Sequence, residues 1–232
     1  MEDIKILAKN LINYSVKLKK GEKLLIEGNN LCLALVLELI KEAYNVGAYP
    51  FVNFSDNFIK KELLRSTSKE HIELMAKYMV PVMKDMDAYI GISATNNKYE
   101  LNNISIVNKN LYSKYYSQPV HSDIRVKKTK WCILNYPTLG YSQEANMSLE
   151  EFTKFYFEVC NLDYSKMNKA MDSLKNLMEK TDKVRIVAPD TDLSFSIKDI
   201  PAIKCAGEMN IPDGEVYTAP VKNSVNGYIH YN

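Results

Sequence analysis

The stretch KLLIEGNNLCLALVLELIKEAYNVGAYPFVNF, residues 23–54, decides the fold class. Lys23 to Glu27 reads as a short buried strand, because a brief apolar run bounded by turn residues suits one. Leu31 to Val46 reads as a helix, closed by Gly47, which can take the left-handed conformation of a helix stop. Tyr49 to Phe54 is a second strand, rich in aromatic and β-branched residues. A strand, a helix of a dozen or more residues and another strand form a parallel crossover.

The pattern extends in both directions. Upstream, Ile4, Leu7, Ala8, Leu11, Ser15 and Leu18 recur at three- and four-residue steps, a helical stripe. Lys17, Lys19 and Lys20 suit its C-terminal end and Gly21 its stop. Downstream, Ser55-Asp56-Asn57 can cap a helix. Ser68 to Met86 is helical, with a break or kink expected near Pro81. Asp87 to Ser93 and Trp131 to Tyr136 are third and fourth strands, with helical sequence around Glu100 to Tyr116 between them. Ser148, with Glu151 three residues on, is a capping box. Asp163 to Lys180 reads as one amphipathic helix whose Met167, Met171, Leu174, Leu177 and Met178 pack as core. Lys183 to Ala188 is then a strand, Pro189 to Asp192 a turn and Leu193 to Ile197 a return strand, and no helix follows. The expectation is an α/β protein: a mainly parallel open sheet flanked by helices over residues 1–182, then the start of a β-rich second domain over 183–232.

Composition narrows the function. Of the 232 residues, 46% are hydrophobic and 25% charged, and net charge is +2, so no strong field points to nucleic acid or a membrane surface. The longest apolar run, Leu31 to Leu37, is too short to span a bilayer, and the N-terminus has no signal-peptide pattern. Gly28-Asn29-Asn30-Leu31, after the first strand, has neither a GxGxxG spacing nor a GK[ST] ending, which removes the main support for nucleotide binding. Cys32, Cys132, Cys160 and Cys205 are scattered and read as buried free thiols, in keeping with a cytoplasmic setting. His121 reads as a surface or capping residue. The basic run Arg125, Lys127, Lys128 and Lys130 reads as a solvated loop or strand edge.

The segment from Gly207 to Gly227 carries the chemistry. Pro212, Asp213 and Gly214 are turn-formers, and Glu215 opens the strand-favouring Val216-Tyr217-Thr218. A carboxylate held at a strand mouth by a tight turn suits a metal or a substrate amine; a solvated turn glutamate is the plainer alternative. The segment resembles the GxxNxPDGEVxTAPxxxSxxG signature of the aminopeptidase T / aminopeptidase S family of metallopeptidases. Trp131, Tyr136-Pro137-Thr138 and Met147-Ser148 with Glu150-Glu151 resemble a W…YPT…MSxEE-like stretch of the family, read as structural, and Thr191-Asp192-Leu193 matches its TDL element in register.

The resemblance implies a cytoplasmic aminopeptidase that releases N-terminal residues from short peptides at a centre of two divalent ions (zinc, cobalt, manganese or magnesium). It places Glu215 as a metal ligand, with no catalytic residue within this chain, and implies a homodimer. The family's other ligands, a second glutamate, two histidines and an aspartate, together with a catalytic tyrosine, are expected beyond residue 232. The isolated chain is then an inactive N-terminal portion that binds metal weakly. Glu208, Asp213, Asp190, Asp192, Asp199 and His230 lie near Glu215 in sequence but form no ligand pair, and turns, solvent and packing account for them. The alternative is a non-catalytic α/β binding or assembly module derived from the family.

Overall fold

A computed structural model describes residues 2–231. Contacts divide the chain into two compact units, Met1–Leu162 with Gly207–Pro212, and Asp163–Ala206 with Asp213–Asn232. The division begins about twenty residues ahead of the 182/183 boundary expected from sequence. It also returns a short later segment to the first unit.

In the first unit, α1 (Glu2–Asn10) leads to β1 (Lys23–Gly28), α2 (Leu33–Asn45), β2 (Tyr49–Phe54), α3 (Asn57–Arg65), α4 (Lys69–Asp85) and β3 (Ala88–Ser93). Next come α5 (Ile106–Tyr112), a π-helical stretch (Ser113–Arg125), α6 (Val126–Lys128), β4 (Lys130–Asn135), α7 (Leu139–Glu144) and α8 (Leu149–Cys160). The sheet runs β2-β1-β3-β4-β8, where β8 is Asn210–Ile211, and every neighbouring pair is parallel. The α/β class and the four early strands are therefore as read from the sequence.

Strand alternation gives the sheet two buried faces. On one, Leu25 and Tyr89 pack with Ile72, Ala76 and Met83 of α4 and with Tyr116, Val120 and Ile124 of the π-helical stretch. On the other, Leu24 and Ile26 are fully buried, and α2 lies against β1 and β2 with α1 packed on it. Helix starts follow the expected chemistry. Asp56 accepts from the Phe58 amide, Ser68 from that of His71, and Ser148 and Glu151 cap one another reciprocally. α4 continues through Pro81.

Three sequence expectations need correction. β8 stands where only a loop before the Val216 strand was read. It is two residues long, and Pro212 ends it. The helix expected over Asp163 to Lys180 is two, α9 (Tyr164–Ala170) and α10 (Asp172–Lys180), separated at Met171. Its stripe is not core either, because α10 holds no buried residue and Leu177 is 64% exposed.

In the second unit, β5 (Lys183–Ala188) and β6 (Thr191–Ser196) form an antiparallel hairpin, and β10 (Asn226–Tyr228) adds to β6. A separate antiparallel pair joins β7 (Ile203–Cys205) to β9 (Glu215–Tyr217). Arg185 grips Asp192 across the hairpin with two hydrogen bonds of 2.8 and 2.7 Å. The Arg185 hydrogen bond, aided by its charge, holds the Asp192 carboxyl below its usual range. A depressed carboxylate contributes stability that is present above its unfolded value, about 3.9, and is lost as pH falls through the lower folded value. Arg185→Met is expected to raise the Asp192 midpoint toward that of an unpaired aspartate, read by carbon NMR titration of the carboxyl. An unchanged midpoint would assign the shift to another cause.

Candidate functional site

Glu215 stands at the first position of β9, directly opposite Cys205 of β7. The turn before it is built as its residues dictate: Asp213 Oδ1 accepts the Gly214 amide at 3.1 Å, and Gly214 has a φ of 150° that a side chain would strain. β9 alternates an exposed Glu215, a half-buried Val216 and an exposed Tyr217, so the carboxylate lies on the open side. The strand pair is fastened from behind. Lys204, opposite Val216, donates to the Asn168 carbonyl at 2.9 Å, to Asn168 Oδ1 at 2.6 Å and to Asp172 at 2.5 Å. Thr218 Oγ1 donates to the Pro201 carbonyl at 3.1 Å. Glu215 is thus an accessible carboxylate on a strand whose direction is fixed by its neighbours.

The other acids and His230 do not assemble around it. Asp192 is committed to Arg185, while Asp190 and Asp199 occupy left-handed turn positions with φ of 50° and 60°. His230 donates its backbone amide to Thr191 Oγ1 at 2.9 Å. Glu208 belongs to the first unit, with its Oε1 3.4 Å from the Tyr14 hydroxyl. Among the described residues, no group of three or more His, Cys, Asp and Glu side chains is placed to hold a metal ion. The exposed Glu215 carboxylate has the donor chemistry of a divalent-metal ligand.

A polar cluster that the sequence reading passed over lies in the first unit. Glu27, at the end of the apolar run of β1, accepts from the Tyr89 hydroxyl at 2.6 Å and from Asn53 Nδ2 at 2.8 Å. These partners sit on β3 and β2, so three adjacent strands fix one carboxylate. Burial, then the Glu27 charge, pushes the Tyr89 phenol well above its usual range. Burial lowers the Lys60 ammonium, and the same carboxylate opposes that shift.

His121 and Arg125 are also placed otherwise than expected. The π-helical stretch turns both inward. The Arg125 guanidinium lies over the Tyr89 and Trp131 rings at 4.9 and 5.2 Å. His121 meets the Tyr89 and Tyr116 rings edge-on, with its Nδ1 buried and without a hydrogen-bond partner among the described residues. Burial lowers its pKa. Tyr116, Val120 and Ile124, spaced by fours, were the signal that this segment has a buried side.

Gly91 lies opposite Glu27, and a Cβ there would come within 2.8 Å of the Tyr89 ring and hydroxyl. Gly91→Ala is expected to displace Tyr89 from Glu27 and to cost about 1–3 kcal/mol, as overpacking does. Urea unfolding and the Tyr89 ring resonances would show it. Unchanged stability with Tyr89 in place would contradict the close fit.

Solved structures place this fold among known ones. "Wild-type AmpT from Thermus thermophilus" superposes with a TM-score of 0.76 at 19% identity, over 97% of this chain and 63% of that one. The chain therefore spans under two thirds of that protein's length. A cysteine desulfurase from Thermococcus onnurineus NA1 reaches only 0.30 at 12% identity, over 60% of this chain and 30% of that one, too little to carry an argument. No protein with a curated description matches. The sequence model of the thermophilic metalloprotease (M29) family matches residues 1–232, and the chain belongs to that family.

Proposed function

We propose that this chain is the N-terminal part of a metal-dependent aminopeptidase that releases N-terminal residues from short peptides in the cytoplasm, as a homodimer. The observation that carries the reading is the Pro212-Asp213-Gly214-Glu215-Val216 segment. It combines a signature of the family with a carboxylate on the open side of a fastened strand. Glu215 supplies one ligand to a centre of two divalent ions, of zinc, cobalt, manganese or magnesium, and its other ligands lie outside the described residues. Such ions supply Lewis acidity and an activated water. This chain's own part is to hold one carboxylate in a set direction and to carry the α/β unit.

The test is hydrolysis of a short peptide, with a free or an acetylated N-terminus, by a product that continues to the relatives' length. Release from the free peptide and none from the acetylated one is expected. Cleavage of both at internal bonds would replace the aminopeptidase reading with an endopeptidase. The absence of a three-ligand group among the described residues favours a second reading, a non-catalytic binding or assembly module. Failure of the longer product to cut either peptide with any of the four metals would select it.

A further inference from the structure

The carboxyl ends of β1, β3 and β4, together with β8, line an open cleft of about 520 Å³. It lies at the β1/β3 switch, where β2 follows on one side of β1 and β3 on the other. Open parallel sheets bind ligands at such a crevice, and the volume falls in the range of small-molecule sites, roughly 300–1,000 Å³. Every lining residue belongs to the first unit, whereas Glu215 belongs to the second.

Its chemistry is selective. Asn29, Asn57 and Asn135 bring amides and Ser93 a hydroxyl to the wall. Each keeps spare bonding capacity beyond its partners (Ala94 and Leu31 for Asn29, Thr95 for Asn57, and Tyr141 for both Asn135 and Ser93). Glu27 brings a carboxylate, and no Lys, Arg or His lines the cleft. A phosphate or carboxylate ligand would meet repulsion with no cation to hold it. Each Glu27 oxygen accepts one bond, from Tyr89 or from Asn53, and keeps a further lone pair. Both donors are neutral. No salt bridge engages Glu27 among the described residues, though its charge acts on the half-buried Lys60 and His121. Lys60 is held over the Tyr112 ring at 4.6 Å and Arg125 over Tyr89, and neither lines the cleft. Gly91, opposite Glu27, leaves bare backbone beside the carboxylate.

We propose that this cleft binds a small primary ammonium compound, with Glu27 anchoring the ammonium and the Asn and Ser side chains bonding its adjacent hydroxyl or amide groups. A carboxylate already oriented by two donors loses little freedom on receiving a third, and charge-assisted bonds are the strong ones.

The test uses the 232-residue chain and amide NMR, with serinol (2-amino-1,3-propanediol) as the probe. Glycerol, which carries a hydroxyl in place of the amine, and inorganic phosphate are the comparisons. Serinol is expected to shift the Gly28, Gly91 and Ser93 amides saturably, with glycerol weaker by roughly tenfold or more, since only the charge-assisted bond differs. Phosphate should leave them unmoved. Glu27→Gln keeps an acceptor for Tyr89 and is expected to reduce serinol to the level of glycerol. Equal shifts from serinol and glycerol would overturn the proposal, as would a preference for phosphate or no response to serinol at about 0.1 M, far above a weak site's Kd. Should Glu27→Gln fail to fold, the serinol–glycerol comparison on the unaltered protein decides alone.

Discussion

Ile90→Ala is expected to lower the unfolding free energy of the first unit by about 2–5 kcal/mol, the range for truncating a fully buried large aliphatic side chain. Ile90 is 0% exposed and sits mid-strand in β3, paired to Ile26 of β1 and Cys132 of β4. A cavity there has strands on both sides and can collapse little. Urea unfolding should show a lower midpoint with an unchanged slope, because the same surface is exposed on unfolding. Ile186→Ala, in the second unit and 41% exposed, is the control, expected to cost about 0.5 kcal/mol or less. Equal effects from the two would mean that β3 is not the centre of a packed parallel sheet.

Glu215→Gln is expected to reduce the kcat/KM of the longer product by at least about 100-fold, the upper end of the cost of altering groups that merely support a metal ligand. The fold should be untouched. Glu215 is exposed, β9 is held through its backbone pairing to β7, and the Lys204 and Thr218 anchors do not involve it. The substitution keeps size and shape and removes the charge. Rates within a few-fold of the parent, with thermal stability unchanged, would remove Glu215 from the metal centre and leave it a solvated turn residue.

The parts of the fold legible in the sequence were those with a local cause. Strands β1 to β4 each combine an apolar run with turn residues at its ends, and Asp56, Ser68 and Ser148 carry cap chemistry within three residues of the amides they meet. β8 had no such signal, since two residues before a proline have no periodicity and only pairing to Ile133 and Leu134 makes them a strand. The shift of the unit boundary to Asp163 has the same origin. Lys204 ties β7 to Asn168 and Asp172 through contacts more than thirty residues apart in sequence, which no local pattern announces.

The two carboxylates differ in the same way. The turn and strand that carry Glu215 were legible because they are contiguous. Glu27 was not, because one acid ending an apolar run is unremarkable until Asn53 and Tyr89, 26 and 62 residues away, are brought to it. The four-residue spacing of Tyr116, Val120 and Ile124 marks the buried side, but the wider turn of the π-helical stretch also brings inward His121 and Arg125, one step beyond that stripe.

Calorimetric titration of cobalt or zinc tests the assignment of Glu215 most directly, carried out on residues 1–232 and on the longer product, each with Glu215 and with Gln. A single carboxylate cannot displace several waters of a hydrated divalent ion with useful geometry. Weak binding by residues 1–232, unaffected by Glu215→Gln, is therefore predicted, together with tight binding by the longer product in which the same substitution loosens at least one ion. Tight, stoichiometric binding by residues 1–232 that Glu215→Gln abolishes would contradict the account and return Asp190, Asp192, Asp213 or His230 to the ligand set.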